Sequence, residues 1–516
     1  MKSELIDNSN ERKFGAVLSY VQMGIGVLIG LVFTPIMIRL LGKSEYGLLG
    51  TIASTISLFS VLSLGFNSSY IRYFSRYRNS GDEESISRLN GLYMMIFSII
   101  GCIAFICCLV LSFNLELVFK DGLSTGEYII ARKLMLINTI GTAIAFPLSV
   151  FTDIICANER FIFLKITGII AKVINPVIAA SLLFLGYKAI ALTILGLILQ
   201  IIVGGINFYY VVFVLKQRFD FGRPEFGILK DVMSFTLFIA ISMIVDQINW
   251  NVDKILLGRY CGTFSVAVYS VSSTLQHDYF LFSSSISEVF SPKIHRIFNE
   301  KSSDVSCMRA ELSNLFIAVG RMQFMVLAFI GSCLVLWGKE FIRFWAGKDY
   351  TNSYYVAMLL IIPVTIPYIQ NTGIEIQRAM NKHKFRSICY AAMALVNIAM
   401  SIILCKMYAE VGAAIGTAVS MIVANGIIMN VYYHKECKLD IIAFWKNILK
   451  ISVGLIAPVF YAVIVKNMFT FDTISKWLVG VMGYALIYAG SLWWFSMNSY
   501  EKMLVKSALR KVRKEQ

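Results

Sequence analysis

The sequence predicts an all-α, polytopic membrane protein of about fourteen transmembrane helices, built as two six-helix lobes related by a parallel internal repeat, with two helices appended. Three observations predict it. First, 57% of the 516 residues are apolar, only 15% are charged and the mean hydropathy is +0.70, whereas a soluble domain carries about 25% charge. Second, apolar runs of spanning length fall at 14–38, 48–71, 91–113, 129–152, 162–184, 189–213, 232–257, 264–288, 312–337, 353–376, 386–407, 411–433, 447–466 and 477–497. Third, polar and small residues of the first half recur in the second at a fixed displacement.

The first run begins after a polar segment, 1–13. It exceeds the 7–15 residues of a signal-peptide core and lacks an A-x-A-like cleavage site, so it reads as a retained helix. It ends in "RLLGKSEYG", which contains the Gly42-Lys43-Ser44 of a phosphate-binding loop. Such a loop needs a glycine at 37 and a strand before it, so that backbone N–H groups can wrap phosphate. Met37 occupies that position and a spanning apolar run precedes it. The stretch therefore reads as a turn after a membrane helix.

Basic residues follow the topology. With the N-terminus inside, the inner segments hold 30 Lys and Arg and the outer segments 13, with Lys172, Lys254, Arg321 and Lys450 within spans. The bias places both termini in the cytoplasm. The formal charge of +16 is scattered over short connections, which argues against nucleic acid as a partner. The ten cysteines include no C-x-x-C pair, so neither a zinc site nor a disulfide framework is expected. No connection exceeds about 25 residues, which leaves no room for the catalytic loop of a glycosyltransferase or for an ATPase domain. No enzymatic activity is expected.

The repeat lays 156–194 on 379–419: Asn158 meets Asn381, Asn175 meets Asn397, and Ala189-x-x-x-Thr193 meets Ala413-x-x-x-Thr417. Leu40-Leu41-Gly42 falls over Leu256-Leu257-Gly258 in the same way. Six spans per copy is an even number, so both copies enter from one side and are related by an axis along the membrane normal. The expected organisation is a cytoplasmic segment 1–13, lobes at 14–215 and 228–434, appended helices at 447–497 and a basic cytoplasmic tail at 498–516, with a cavity between the lobes.

The stretches "TPIMIRLLGKSEYGLLG", Gly65-Phe66-Asn67 leading to Arg72, "QINWNVDKILLG", "VAVYSVSS", "SPKI" and the Gly412-Ala413-Ala414-Ile415-Gly416-Thr417 start of the twelfth span, in this order and spacing, resemble the polysaccharide exporters of the multidrug/oligosaccharidyl-lipid/polysaccharide superfamily. The similarity covers about residues 10–440 and is greatest to the O-antigen-type flippases. The resemblance implies a transporter in a bacterial plasma membrane. Such a transporter moves an undecaprenyl-pyrophosphate-linked oligosaccharide from the cytoplasmic to the outer leaflet by alternating access, for cell-surface polysaccharide biosynthesis. Other glycan-assembly membrane proteins are then expected partners, and no cofactor beyond a coupling ion, H+ or Na+. A cation-coupled multidrug exporter is the alternative. The first lobe's only acid at a span, Asp153, lies near a cytoplasmic end, whereas such an exporter would carry coupling carboxylates in the cavity of one lobe. A non-transporting scaffold of a glycan-assembly complex is a further alternative.

Such a substrate needs cationic and hydrogen-bonding side chains in a hydrated cleft while its tail stays in lipid. Lys172, Asp246, Asp278 beside His277, and Arg321 lie deep in their spans. Lys172 and Arg321 are candidate phosphate partners, or members of structural salt bridges, and Arg39 beside the repeat turn fits the family pattern. On the seventh span Asp246, Asn249 or Trp250, and Asp253 share a face. His277, Ser284 and Glu288 do so on the eighth, and Asn371, Glu375 and Arg378 on the tenth. These faces are expected to line the cleft and carry ion coupling, or else to tie helices together. Arg72, Lys254, Asp153 and Lys450 sit near span ends as snorkelling anchors. Pro35, Pro363 and Pro367 remove backbone donors within spans and mark hinges or static kinks. Gly26, Gly30 and Thr34 form a small-residue stripe for close packing.

Overall fold

The computed structural model describes the backbone of residues 2–63, 65–222, 226–301 and 304–515, and within these the side chains of residue 14 and of 17 onward except 68, 121, 226–242, 508–509 and 511–515. The side chains of the expected cytoplasmic segment 1–13, and most of those ending the basic tail, lie outside this set. Every element among the described residues is helical. In order, the helices of 9 residues or more are α1 (Lys2–Ser57), α2 (Phe66–Ser80), α3 (Glu83–Phe113), α4 (Thr125–Ala157), α5 (Phe161–Phe184), α6 (Ala189–Tyr209), α7 (Phe226–Tyr260), α8 (Thr263–Glu300), α9 (Val305–Trp345), α10 (Asn352–Ile369), α11 (Asn371–Ala379), α12 (Lys384–Met421), α13 (Ile441–Ser452), α14 (Ile456–Met468), α15 (Ile474–Ser491) and α16 (Ser499–Glu515). Short 3-10 and π-helical turns join several of them.

A helix satisfies its own N–H and C=O groups, which is what long apolar runs require in hydrocarbon. Ten of the described helical stretches are long and apolar enough to cross a membrane. Two of these bend back on themselves. In α1, Gly42 has φ 79° and ψ 172°, and in α12, Tyr408 and Ala409 (φ 47°) leave helical geometry. Each bend divides two of the expected spans. Helices α7 and α8 stand at the expected seventh and eighth spans and bring the number to the fourteen expected. Pro363 and Pro367 stand in α10 just before its break at Gln370, whose N–H turns back to the Pro367 carbonyl at 3.2 Å. The expected tenth span is therefore two helices, α10 and α11.

The repeat is visible in the backbone. Left-handed residues occur in pairs: Gly42 and Gly262, Glu159 and Asn381, Gly186 and Ala409, Lys216 and Lys438, at displacements of 220, 222, 223 and 222 residues. At two of these turns the hydrogen bonds also match. Glu159 and Arg160 donate back to Cys156 and Ile155, as Asn381 and Lys382 do to Arg378 and Gln377. The counterpart of Gly42 is thus Gly262, four residues beyond the Gly258 expected from the Leu-Leu-Gly match. Gly258 instead packs: its carbonyl stands where a Cβ on Gly122 would be.

By internal contacts the chain forms two compact units, one of Met1–Ser270 with Ala394–Gly416, the other of Val271–Met393 with Thr417–Gln516. In the first unit the helix ends near Gly42 are knotted together. The Ser124 N–H and hydroxyl donate to Glu127 Oε2 at 2.8 and 2.9 Å, a capping box that starts α4. Glu127 Oε1 accepts from Thr263 Oγ1 at 2.6 Å and from the Ser44 hydroxyl. Glu45 caps α6, accepting from the Ala189 N–H at 3.0 Å and pairing with Lys188 at 3.2 Å. Lys43 lies over the Phe264 ring. The Gly-Lys-Ser stretch is thus a clasp between helix ends. Gly47 faces the Thr263 carbonyl with no room for a Cβ, which would come within 1.8 Å. In the second unit α14 and α15 pack on α9 through Met325, Trp337, Tyr484 and Tyr488, and the Tyr488 hydroxyl donates to the Met325 carbonyl at 2.7 Å.

Gly47→Ala is expected to cost about 1–3 kcal/mol through overpacking, read as a lower melting temperature of the purified protein. Gly126→Ala, where nothing lies within 4 Å, is expected to leave it unchanged or higher.

Candidate substrate site

In the first unit α1, α4, α5 and α6 enclose a cavity of about 380 Å³. Its wall is mostly apolar, with Phe33, Met37 and Ile137 among its members, and carries four neutral polar side chains, Asn138, Asn175, Thr193 and Gln200. Three of these are anchored to helix backbone: Asn138 to Leu134 O at 2.9 Å, Thr193 to Ala189 O at 3.0 Å and Gln200 to Gly141 O at 2.8 Å. Asn175 has no partner among the described residues and no acid lines the wall.

Lys172 stands one turn before Asn175 on α5, in the middle of the span. It is exposed, and its Nζ lies 3.3 Å from where a Cβ on Gly26 would stand. Gly168, one turn earlier, faces Gln22 in the same way. The small residues of α1 and α5 thus let a long cation and an amide lie across the helix pair without a counter-charge. Lys172 has no ion-pair partner among the described residues. A cation held at this depth without a partner is suited to an anionic ligand.

Arg321 is placed differently. It is buried in the second unit, and its Nε and an Nη grip both carboxylate oxygens of the buried Glu501 at 2.6 and 2.9 Å. Its remaining donors go to Ser496 O, Asn447 O and Asn447 Oδ1. It holds the start of α16 to α9 and has no donor left for phosphate. The salt-bridge reading of this residue is the one the geometry carries.

The acidic faces are not gathered into one cluster. Asp246 and Trp250 are exposed and Asn249 is half-buried in the first unit. Asp253 on the same helix is buried, accepting from Tyr269 at 2.7 Å and Ser401 at 2.8 Å, so it ties α7 to α8 and α12. His277 and Glu288 are exposed in the second unit, and Glu375 pairs with Arg378 at 2.6 Å. Asp278 is half-buried with Oδ2 unpartnered. Among the described residues no three His, Cys, Asp or Glu side chains are placed to hold a metal ion. Arg39 is exposed beside the clasp, Pro35 lies in α1 without breaking it, and Pro363 is buried. Arg72 and Lys450 are exposed and Lys254 half-buried, but Asp153 is only 8% exposed and bound to Asn67, so it is no snorkelling anchor. The sequence reading missed Glu127, Asn138 and Gln200, and named Asn175 and Thr193 only as repeat matches. The Ser124-x-x-Glu127 box was a readable signal for the first.

A family model described as "polysaccharide biosynthesis protein" matches residues 15–298, more than half of the chain. The chain belongs to that family. Its similarity to the capsular polysaccharide biosynthesis protein CapF of Staphylococcus aureus is 22% identity over 210 residues, 40% of this chain and half the length of that relative. Among solved structures, the lipid II flippase MurJ in an inward-closed conformation aligns with a TM-score of 0.70 at 18% identity, over 93% of this chain and 97% of the other. An inward-facing multidrug resistance MATE transporter aligns at 0.63 and 14% identity, over 84% and 99%. This member of the polysaccharide biosynthesis family is a multi-pass membrane protein with the fold of those transporters.

Breaking one side of the buried pair should be costly: Arg321→Met or Glu501→Leu alone is expected to lose about 3–5 kcal/mol, and the double variant to regain most of it, measured by thermal unfolding in detergent. Glu127→Ala removes the centre of the clasp. Cys405 of α12 is 1% exposed and lies against Cys261 at the Gly262 turn, beside Thr263; with it as the sole remaining cysteine, its labelling by a membrane-impermeant maleimide is expected to accelerate about tenfold.

Proposed function

We propose that the chain is a flippase that carries an undecaprenyl-pyrophosphate-linked oligosaccharide from the cytoplasmic to the outer leaflet of a bacterial plasma membrane, by alternating access, for surface polysaccharide synthesis. Family membership and the transporter fold support transport in glycan assembly. The observation that carries the choice of substrate is the unpaired Lys172, at mid-span beside a cavity whose polar wall is all amide and hydroxyl. A diphosphate finds a cation there and sugars find hydrogen-bonding partners. A cationic drug finds no counter-charge, which disfavours the multidrug exporter.

With the inside-positive orientation, both termini are cytoplasmic and the Glu127 clasp lies at the outer face. Arg39 then stands where the diphosphate emerges. Asp246 and Asp278 are the membrane-depth acids open to ion coupling, by H+ or Na+, and other glycan-assembly proteins are partners through the shared lipid-linked substrate.

The test is the sidedness of the lipid-linked oligosaccharide in spheroplasts of a deletion strain, scored by an externally added glycan-modifying enzyme. Glycan that is inaccessible in the deletion and exposed on re-expression is the expected result. Lys172→Met is expected to restore exposure at least about tenfold more slowly at equal expression, for loss of a charge-assisted contact. Unchanged sidedness with lost resistance to cationic dyes would overturn the reading.

A further inference from the structure

The last turns of α4 meet α2 and α3 in an aromatic core of Phe66, Tyr70, Tyr93 and Phe97, with the Tyr70 and Tyr93 rings 5.0 Å apart. Asp153 is buried in this core. One carboxylate oxygen accepts from Asn67 Nδ2 at 3.1 Å, and the other, Oδ2, has no partner. Asn67 Oδ1 of the same junction is also unpartnered, and Ser69 Oγ and the Tyr93 hydroxyl have no partner beyond each other. Ser69 and Tyr93 are 0% and 1% exposed. The Tyr93 hydroxyl lies beside that of Ser69, and both tyrosines are within electrostatic reach of Asp153. Tyr70 itself is engaged, donating to Asn90 at 2.6 Å. Among the described residues Asn67 supplies the only hydrogen bond to the Asp153 carboxylate, and no basic side chain pairs with it.

A buried carboxylate without a cation is costly, and so is each unmet polar atom around it. The atoms left over are all oxygens, the ligand type of hard cations, and they carry a single negative charge. A divalent ion calls for more than one carboxylate, whereas a monovalent ion is neutralised by Asp153 alone. We propose that Asp153, Asn67, Ser69 and Tyr93 form a sodium site at the α2–α3–α4 junction, the ion cross-linking the three helices. Its meaning as a coupling site rests on the flippase reading; the binding itself does not.

The test uses the purified full chain without glycan lipid, so a failed translocation experiment leaves its outcome unchanged and a flat sodium response leaves the flippase reading standing. Melting temperature is measured in sodium, potassium and choline chloride at matched ionic strength, with binding of radioactive sodium in parallel. Sodium is expected to raise the melting temperature by about 3 °C over choline, with saturable binding. Asp153→Asn is expected to abolish both. Ser69→Ala and Tyr93→Phe, which keep the carboxylate and stand as the test should Asp153→Asn fail to fold, are each expected to raise the half-saturating sodium concentration about fivefold. Equal melting in sodium and choline, an equal effect of potassium, or a full sodium response in Asp153→Asn or in both hydroxyl variants would overturn the site.

Discussion

A polar atom inside a bilayer has no water to return to, and each one must find a partner in the protein, face a hydrated space or stay unmet at a cost. The chain uses all three outcomes. Glu127, Asp253 and Arg321 are tied to partners far along the sequence and hold helices together. Lys172 is left without a counter-charge among the described residues, next to a cavity. At Asp153 the partners run short, and a group of oxygens remains with nothing to bond. Where the ionisable groups fall among these outcomes separates the parts that hold the fold from the parts available to a ligand.

The helix ends near Gly42 show how much a short turn can carry. A positive φ at Gly42 and Gly262 reverses the chain in each half, and the side chains that follow reach neighbouring helix starts. Ser44 and Thr263 meet on one carboxylate oxygen of Glu127, while Glu45 supplies the acceptor that the first N–H of α6 lacks. Such a clasp is built from exchangeable hydrogen bonds instead of apolar packing.

The architecture was legible in the sequence because it depends on period and spacing. Apolar run lengths gave the spans, Gly42 marked the first bend, Pro363 and Pro367 marked the break before α11, and the displacement of Asn158 to Asn381 recurs in the turns. The partners were less legible, since depth along a helix does not say which way a side chain faces. Arg321 reads as an intramembrane cation, yet its partner Glu501 lies 180 residues away beyond the last span. Asp153 reads as a terminal anchor, yet α2 and α3 cover it. Gly258 matched Gly42 by its neighbours Leu256 and Leu257, while the turn itself had moved to Gly262. Asn138 and Gln200 escaped notice because they are single polar residues in different apolar runs, and Asn175 stood out only as the repeat match of Asn397.

The central claim is that this chain moves a diphosphate-linked glycan lipid between leaflets. The most direct measurement reconstitutes the purified protein alone in liposomes loaded with a labelled polyprenyl-pyrophosphate saccharide and follows the fraction open to a membrane-impermeant glycan-modifying enzyme. The account predicts that this fraction rises from one leaflet's share towards the whole, far faster than in protein-free liposomes. A rate equal to that of protein-free liposomes, in protein shown to be folded, would contradict it.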